Sequence, residues 1–159
     1  MRRDRVDRRV SIVKQIKSLI GNDLITLEIG CAAGDFSDYL LEKLSIKEHY
    51  MVDPWSGEGD DKRSQWFNSQ RDAQNTYDFV LNRFSNKPVK IIREFSNIFL
   101  VEMLRHNNKL YDLIYVDGDH HSEAVYLDLV LSWENLKKGG VLAGDDYNWK
   151  SRSTGICEV

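Results

Sequence analysis

The chain has 159 residues, the length of one domain, and can bury a sizeable hydrophobic core. Its net charge of −3 argues against a partner bound through bulk charge, such as nucleic acid or an anionic membrane surface. Two cysteines are too few for a disulfide framework, and no apolar run reaches the roughly 20 residues of a membrane-spanning helix. We therefore expect a cytoplasmic protein in which residues 1–159 form one domain.

An amphipathic helix is predicted at the N-terminus, within residues 1–22. Apolar residues recur at helical spacing over residues 4–20, and Gly21-Asn22 is a stop signal. Five arginines and two acids occupy the first nine positions. We interpret them as a solvated helix face, with nucleic-acid contact as the minority alternative.

Apolar runs and amphipathic segments then alternate along the chain. The runs predicted as strands are 24–30, 49–55, 89–93, 111–117 and 139–146. The segments predicted as helices are 35–44, 64–84, 97–106 and 122–136. Continuous apolar strands separated by such helices are typical of a parallel sheet covered on both faces. We predict the α/β class: a Rossmann-like, doubly wound, mainly parallel sheet with helices on both faces.

Acidic residues stand where several of these strands end, notably Asp53, Asp117 and the pair Asp145-Asp146. In parallel sheets, ligands bind at the carboxyl ends of the strands, at the point where the strand order reverses. Helix capping explains an acid such as Asp35 but gives these four acids no structural task. The sequence therefore predicts a ligand site at this rim of the sheet.

A glycine loop, E-I-G-C-A-A-G, connects the first strand to the following helix at residues 28–34. Its glycines, Gly30 and Gly34, are spaced G-x-x-x-G and lack the third glycine of the dinucleotide fingerprint. A tight turn without a ligand is the alternative interpretation. Asp53 follows about 20 residues beyond the loop, where an acid accepts hydrogen bonds from a ribose. Together these features favour a nucleoside ligand without a pyrophosphate.

Three stretches carry a resemblance to a known family: LEIGCAAGDFS, HYMVDPW and YDLIYVDGDHHSEAVYLDLVLSWENLKKGGVLAGDDY. They resemble the class I S-adenosylmethionine-dependent methyltransferases over residues 23–147. The D-G-D-H strand end and the G-G-V-x-x-G-x-D-Y strand narrow the resemblance to one branch. That branch includes sugar and macrolide O-methyltransferases and cephalosporin-hydroxylase-like proteins.

The resemblance implies S-adenosylmethionine as cofactor, bound by Glu28, Gly30, Gly34, Asp53, Ser96 and Asp117. In this assignment the glycines lie beside the methionine portion, and Glu28 supports the loop and faces the methionine amine. Asp53 binds the ribose, and Ser96 lies near the adenine. Asp117 stands at the junction of cofactor and substrate.

The remaining acids predict a metal site. Asp117, Asp145 and Asp146 follow strands that should be neighbours, and hard oxygen ligands select Mg²⁺, Ca²⁺ or Mn²⁺ over zinc. A dication would also relieve the repulsion among three carboxylates. In the resembling branch a divalent cation, Mg²⁺ here as the first choice, binds two neighbouring substrate hydroxyls. Asp117 or His120 is the predicted catalytic base, with His121 a weaker candidate.

Two polar segments at the rim could contact ligands. Residues 55–66 could form a lid or an ordinary surface loop, and Tyr147 and Trp149 could stack on an acceptor. The sequence ends before the C-terminal strand pair of the full methyltransferase fold. We therefore expect either a longer multidomain chain or another copy of the chain, as in a homo-oligomer, to cover the fifth strand.

These observations predict a cation-dependent O-methyltransferase acting on a small-molecule or glycan acceptor, most simply a sugar, with no nucleic-acid or membrane partner. Two alternatives stay open. One is an NAD-dependent oxidoreductase, against which the missing third glycine counts. The other is a truncated, non-catalytic module that binds the cofactor or serves in assembly.

Overall fold

The computed structural model of the protein describes residues 2–56, 67–106 and 110–145, with side chains from Arg9 onward. The strands are β1 (Leu24–Ile29), β2 (Ile46–Val52), β3 (Val89–Ile92), β4 (Tyr111–Val116) and β5 (Leu136–Gly144). The helices are α1 (Arg2–Leu19), α2 (Asp35–Lys43), α3 (Gln70–Phe84), α4 (Ser96–Arg105) and α5 (Ser122–Asn135). None of the helices in these ranges is long and apolar enough to cross a membrane.

The five strands form one parallel sheet in the order β3-β2-β1-β4-β5, with β1 at its centre. The chain moves outward from β1 through β2 to β3, and then crosses back to β4 on the other side of β1. The strand order therefore reverses between β1 and β4, which is where such sheets bind their ligands. The predicted Rossmann-like sheet is confirmed, as is the adjacency of the fourth and fifth strands.

Helices cover both faces of the sheet because successive strand residues point to opposite sides. On one face, Val13 and Ile16 of α1 share a core with Leu113 of β4. On the other face, Leu100 of α4 packs in a second core with Ile114, the next residue along β4. A third core joins α3 to the edge of the first face, and its buried members are Cys31, Met51, Trp55, Phe67, Ala73, Val80 and Phe84.

Strand β2 lies earlier in the sequence than predicted. It begins at Ile46, because that residue pairs with Leu24 at the start of the central strand. It ends at Val52, since the backbone beyond it turns and reaches a φ of 39° at Trp55. The predicted run was 49–55, whereas pairing with β1 ends at Val52 and decides the boundary.

Strand β5 also begins earlier than predicted, directly after α5. Leu136 pairs with Tyr111, and after a register shift Val141 pairs with Leu113. Gly139, which the prediction made the first residue of the strand, has a φ of +84° and lies inside this irregular part of it. Glycine at such a position is typical of a bulge.

Helix α3 begins later than predicted. Its first residue is Gln70, and the Ser69 side chain caps it by accepting a hydrogen bond of 3.1 Å from the Asp72 amide. Residues 57–66 of the predicted lid at 55–66 lie outside the described residues, as do Asp146, Tyr147 and Trp149. The single domain and the missing C-terminal strand pair stay predictions.

Candidate functional site

Gly30 closes the end of β1 against the end of β4. Its φ is +83°, and a Cβ there would lie 2.0 Å from the Asp117 carbonyl oxygen and 2.6 Å from the Gly118 Cα. Its amide donates to the Val52 carbonyl at 2.9 Å, while the Asp117 amide donates to the Ile29 carbonyl at 2.9 Å. The glycine is therefore required by backbone packing at the point where the strand order reverses.

Asp53, at the end of β2, holds the glycine loop in place. Its Oδ2 accepts the Ala32 amide at 2.9 Å, and its Oδ1 accepts the Trp55 amide at 2.7 Å. The Trp55 indole in turn donates to the Ala32 carbonyl at 2.9 Å. Burial raises the pKa of Asp53, against the opposing effect of these amide hydrogen bonds. Each carboxylate oxygen retains a further lone pair, so the geometry is compatible with the predicted ribose contact.

Gly34 has a structural explanation of its own. It adopts the left-handed conformation at the N-cap of α2, and a Cβ there would lie 2.5 Å from the Phe84 ring and 3.1 Å from the Met51 side chain. The absent side chain therefore makes room for α3. The predicted contact of Gly34 with the cofactor stays a prediction.

Glu28 lies beneath the loop, on the face covered by α1 and α2. Its side chain is 2% exposed, and its Oε2 accepts the Ser37 hydroxyl at 2.5 Å. The same oxygen lies 3.6 Å from His49 Nε2, and His49 Nδ1 is 2.7 Å from the Thr26 hydroxyl. Glu28 thus connects β1 and β2 to the first turn of α2, which agrees with its predicted support of the loop. A direct contact with the methionine amine stays a prediction.

Asp117 and Asp145 follow the neighbouring strands β4 and β5, and Arg9 of α1 bridges them. Arg9 Nη2 lies 2.8 Å from Asp117 Oδ2, and Arg9 Nε lies 3.2 Å from Asp145 Oδ2. The guanidinium also stacks 4.9 Å above the Phe36 ring. Desolvation alone would lower the pKa of Arg9, but the charges of the two acids raise it. The prediction of a solvated arginine face is therefore wrong for Arg9, whose side chain is 24% exposed.

The fit of a metal ion to this acid pair can be judged from its donors. Within residues 2–56, 67–106 and 110–145, no group of three or more His, Cys, Asp or Glu side chains is arranged to hold a metal. The third predicted ligand, Asp146, is outside those ranges. Asp117 and Asp145 nevertheless both contact one cationic group, so their chemistry fits a hard cation. A dication would need the place that Arg9 takes.

The D-G-D-H-H segment turns from β4 into α5. Asp119 Oδ1 accepts the His121 amide at 2.9 Å and lies 2.6 Å from His121 Nδ1, which makes Asp119 a turn residue. His121 is the N-cap residue of α5. His120 is half-buried, and its role as a base stays a prediction.

Ser96 begins α4 and donates its hydroxyl proton to Asp128 of α5 at 2.6 Å. Asp128, which is 2% exposed, was not among the predicted site residues. The available signal was an acid inside the apolar run AVYLDLVLSW. The Arg9 bridge was not predicted either, because the sequence carries no signal for it.

Comparison with known proteins identifies the family. Residues 27–147 match a family described as a methyltransferase domain. The chain belongs to this family. The resemblance to the class I S-adenosylmethionine-dependent methyltransferases is thereby confirmed, since the matched residues run from the glycine loop past the D-G-D-H turn.

Solved structures agree with this methyltransferase fold. An S-adenosylmethionine-dependent methyltransferase from Agrobacterium tumefaciens superposes with a TM-score of 0.60 at 16% identity, over 96% of this chain and 47% of that one. The MycE methyltransferase of the mycinamycin pathway, in complex with Mg and SAH, superposes with a TM-score of 0.58 at 15% identity, over 86% of this chain and 33% of that one. An rRNA methylase from Streptococcus thermophilus superposes with a TM-score of 0.55 at 12% identity, over 84% of this chain and 68% of that one. At these identities the likeness shows the fold alone.

A curated relative of the methyltransferase domain is the uncharacterized protein R132 of Acanthamoeba polyphaga mimivirus. It is 25% identical over 126 residues, which are 79% of this chain and 52% of the relative. The chain thus spans about half the length of the curated relative that it matches.

Proposed function

We propose that this protein transfers a methyl group from S-adenosylmethionine to a hydroxyl of a small acceptor, with a sugar or glycan as the first candidate. The meeting of Gly30, Asp53 and Asp117 at the ends of β1, β2 and β4 carries the proposal. Ligands of open α/β sheets bind at this position. Membership of the methyltransferase-domain family supports the reaction class.

The cofactor would lie across the ends of the central strands. Its methionine portion would lie along the loop that begins at Gly30, whose backbone approaches Asp117 closely. Asp53 would accept hydrogen bonds from the ribose hydroxyls, while the amides of Ala32 and Trp55 keep its carboxylate oriented. The predicted partners Glu28 and Gly34 would act through the shape of the loop.

Methyl transfer also needs an acceptor oxygen that loses its proton. The cofactor supplies a sulfonium methyl group, and an O–C bond forms as the S–C bond breaks, leaving a neutral thioether. Asp117 stands between the cofactor loop and β5, and His120 lies three residues beyond it. We propose that one of these two side chains accepts the hydroxyl proton. Fixed orientation of the acceptor would supply much of the remaining acceleration.

A divalent cation, Mg²⁺ as the first candidate, belongs to this proposal. Asp117, Asp145 and Asp146 would hold it after Arg9 has left the two acids. The cation would lower the pKa of the acceptor hydroxyl and fix its direction. The Mg and SAH in the MycE complex support the choice of cation and cofactor.

The proposed partners follow from charge and from the sheet edge. The net charge of −3 supports a small-molecule or glycan acceptor over nucleic acid, and we propose a cytoplasmic protein. Among the described strands, β5 pairs with β4 alone. We propose that a second copy, or the rest of a longer chain, covers the outer edge of β5.

Calorimetry on the purified chain with S-adenosylhomocysteine and with NAD⁺ tests the cofactor. We expect binding of the former only, and a loss of at least about 10-fold in affinity in Asp53→Ala. Asp78→Ala, which removes an exposed acid from α3, is the matched control. A folded protein that binds NAD⁺ and no S-adenosylhomocysteine would overturn the proposal.

Turnover tests the acceptor and the cation. The protein is incubated with S-adenosylmethionine and with sugars, a glycan or an rRNA fragment, and S-adenosylhomocysteine is measured by mass spectrometry. We expect product with a hydroxylated sugar or glycan, and its loss on adding EDTA. Turnover with the rRNA fragment but with no sugar or glycan would show that the acceptor is RNA. Full turnover in EDTA would show that the reaction needs no divalent cation.

A further inference from the structure

Asp128 is a buried carboxylate that the proposed reaction does not use. Its side chain lies within α5 at 2% exposure, and the Ser96 hydroxyl donates to its Oδ1 at 2.6 Å. No ion pair joins Asp128 to any basic side chain of the described residues. Burial raises its pKa to about 6, against the effect of the Ser96 hydrogen bond and with a further contribution from the charge of Asp119. A buried carboxylate without an ion-pair partner lowers the stability of the fold, which points to a functional reason for Asp128.

The Asp128 side chain lies between two strand ends of the ligand rim. Ser96 is the first residue of α4 and follows the end of β3. On the other side, Asp128 Oδ2 is 3.4 Å from the position that a Cβ would take on Gly118, the residue after Asp117. The carboxylate therefore lies between the start of α4, which follows β3, and the turn that follows β4.

The proposed cofactor brings its base to this place. With the methionine portion at the β1 loop and the ribose at Asp53 of β2, the base would lie beyond the ribose, on the side of β2 where β3 lies. Ser96 is half-buried there, and the neighbouring Phe95 is 52% exposed, which offers the base an apolar surface. The Ser96 hydroxyl is thus available to a nucleobase.

The hydrogen bond to Asp128 fixes the polarity of that hydroxyl. A serine hydroxyl has one proton and two lone pairs, and in Ser96 the proton points at a carboxylate that can only accept. The oxygen then offers only lone pairs to a ligand. It matches the exocyclic amino group of adenine, a donor, and opposes a 6-keto group, an acceptor.

We infer that Asp128 is a specificity-determining positioning residue, which orients Ser96 so that the site accepts a 6-aminopurine nucleoside and rejects a 6-ketopurine one. This inference rests on the proposed binding of S-adenosylmethionine. It adds a residue on α5 that acts through Ser96 and not by touching the ligand itself.

The test compares two ligands that differ at one position of the base, S-adenosylhomocysteine and its deaminated analogue S-inosylhomocysteine. Calorimetry on the wild-type chain should show a preference for the amino form of at least about 30-fold, because a keto oxygen would face a second acceptor. In Asp128→Asn the amide can donate to Ser96 and release the hydroxyl proton, so the preference should fall to within about 3-fold. Ser96→Ala should lose the preference as well, and it provides the answer if Asp128→Asn fails to fold.

Ser37→Ala is the matched control, because Ser37 also donates to a buried carboxylate, that of Glu28, on the opposite face of the sheet. It should leave the ratio of the two affinities unchanged, whatever it does to either one. A wild-type preference below about 3-fold, or one retained in both Asp128→Asn and Ser96→Ala, would overturn the inference. Failure of the wild type to bind S-adenosylhomocysteine at all would instead overturn the proposed function.

Discussion

Replacing Arg9 by methionine removes one positive charge from between two acids while keeping most of the aliphatic stem against Phe36. In the structure the guanidinium contacts Asp117 at 2.8 Å and Asp145 at 3.2 Å. The acid side chains are 17% and 5% exposed, so water can replace the lost charge only in part. Arg9→Met should therefore leave two carboxylates that repel each other at the end of the sheet.

The expected magnitude lies between two limits. A hydrogen bond to a charged group contributes about 1.5–3 kcal/mol, whereas an exposed ion pair contributes at most about 1 kcal/mol. Arg9→Met loses two partly buried contacts but no longer has to desolvate a guanidinium. The net decrease in the free energy of unfolding should therefore be about 2 kcal/mol. For a chain of this length the melting temperature should fall by about 4–8 °C.

Thermal unfolding followed by circular dichroism, with Mg²⁺ or with EDTA, measures both the loss and its reversal. Because a dication and the guanidinium would use the same carboxylate oxygens, Mg²⁺ should stabilise Arg9→Met more than the wild type. In EDTA the variant should stay at its lower melting temperature. The comparison thus separates the electrostatic task of Arg9 from its packing.

Arg83 provides the control, since it also joins two acids, Asp35 at 2.6 Å and Asp38 at 2.9 Å, with a side chain that is 23% exposed. Its partners are 80% and 38% exposed, so Arg83→Met should cost less and show no response to Mg²⁺. A loss below about 0.5 kcal/mol in Arg9→Met would show that the bridge is only a surface pair. Equal stabilisation of wild type and variant by Mg²⁺ would refute the competition.

Three further outcomes are expected. Gly30→Ala should lower the free energy of unfolding in urea by more than about 3 kcal/mol, because its Cβ would lie 2.0 Å from a carbonyl oxygen. Gly21→Ala is the control and should change stability little, because a Cβ on Gly21 has nothing within 4 Å. Without ligand, Asp128→Asn should raise the free energy of unfolding by about 2 kcal/mol at pH 8. The reason is that the pKa of Asp128 is raised in the native state, so the wild type loses stability as the pH rises from about 4 to about 6. A gain in Asp128→Asn that persists at pH 4 would contradict this cause. Ser37→Ala should destabilise the fold by about 2 kcal/mol in the same assay, because it leaves the Glu28 carboxylate buried without its hydroxyl donor; a neutral result would show that Glu28 finds another partner.

The sheet and its ligand rim were predictable because each depends on local pattern. Near-continuous apolar runs are typical of parallel strands that are covered on both faces, and the segments between them have the helical period of about 3.6 residues. The ends of β1 and β4 agree with the predicted runs to within one residue, and Asp53 lay near the end of the predicted second run, so Gly30, Asp53 and Asp117 could be grouped from the sequence. Strand starts were less accurate, since Ile46 and Leu136 are strand residues only through their pairing partners.

The contacts made by the site side chains were not predictable. Arg9 looked like one of several solvated arginines, because nothing local distinguishes the residue that faces the acids of the last strand. The repulsion among those acids was foreseen, but a guanidinium offsets it in the structure where a dication was expected. Ser96 was placed by family resemblance alone, and its acceptor, Asp128, lies on a different helix.

The Arg9–Asp145 contact joins residues 136 positions apart, which has a consequence for synthesis of the chain. At cellular translation rates about 10 s separate the appearance of the two residues on the ribosome. For most of that interval the central strand β1 lacks β4, because Thr26 pairs with Leu113, 87 positions later in the chain. The nascent chain therefore exposes one edge of its central strand until β4 has been made, and the acidic end of the sheet is neutralised last. Arrested or truncated chains should in consequence be substrates for chaperones and proteases before they can bind any ligand.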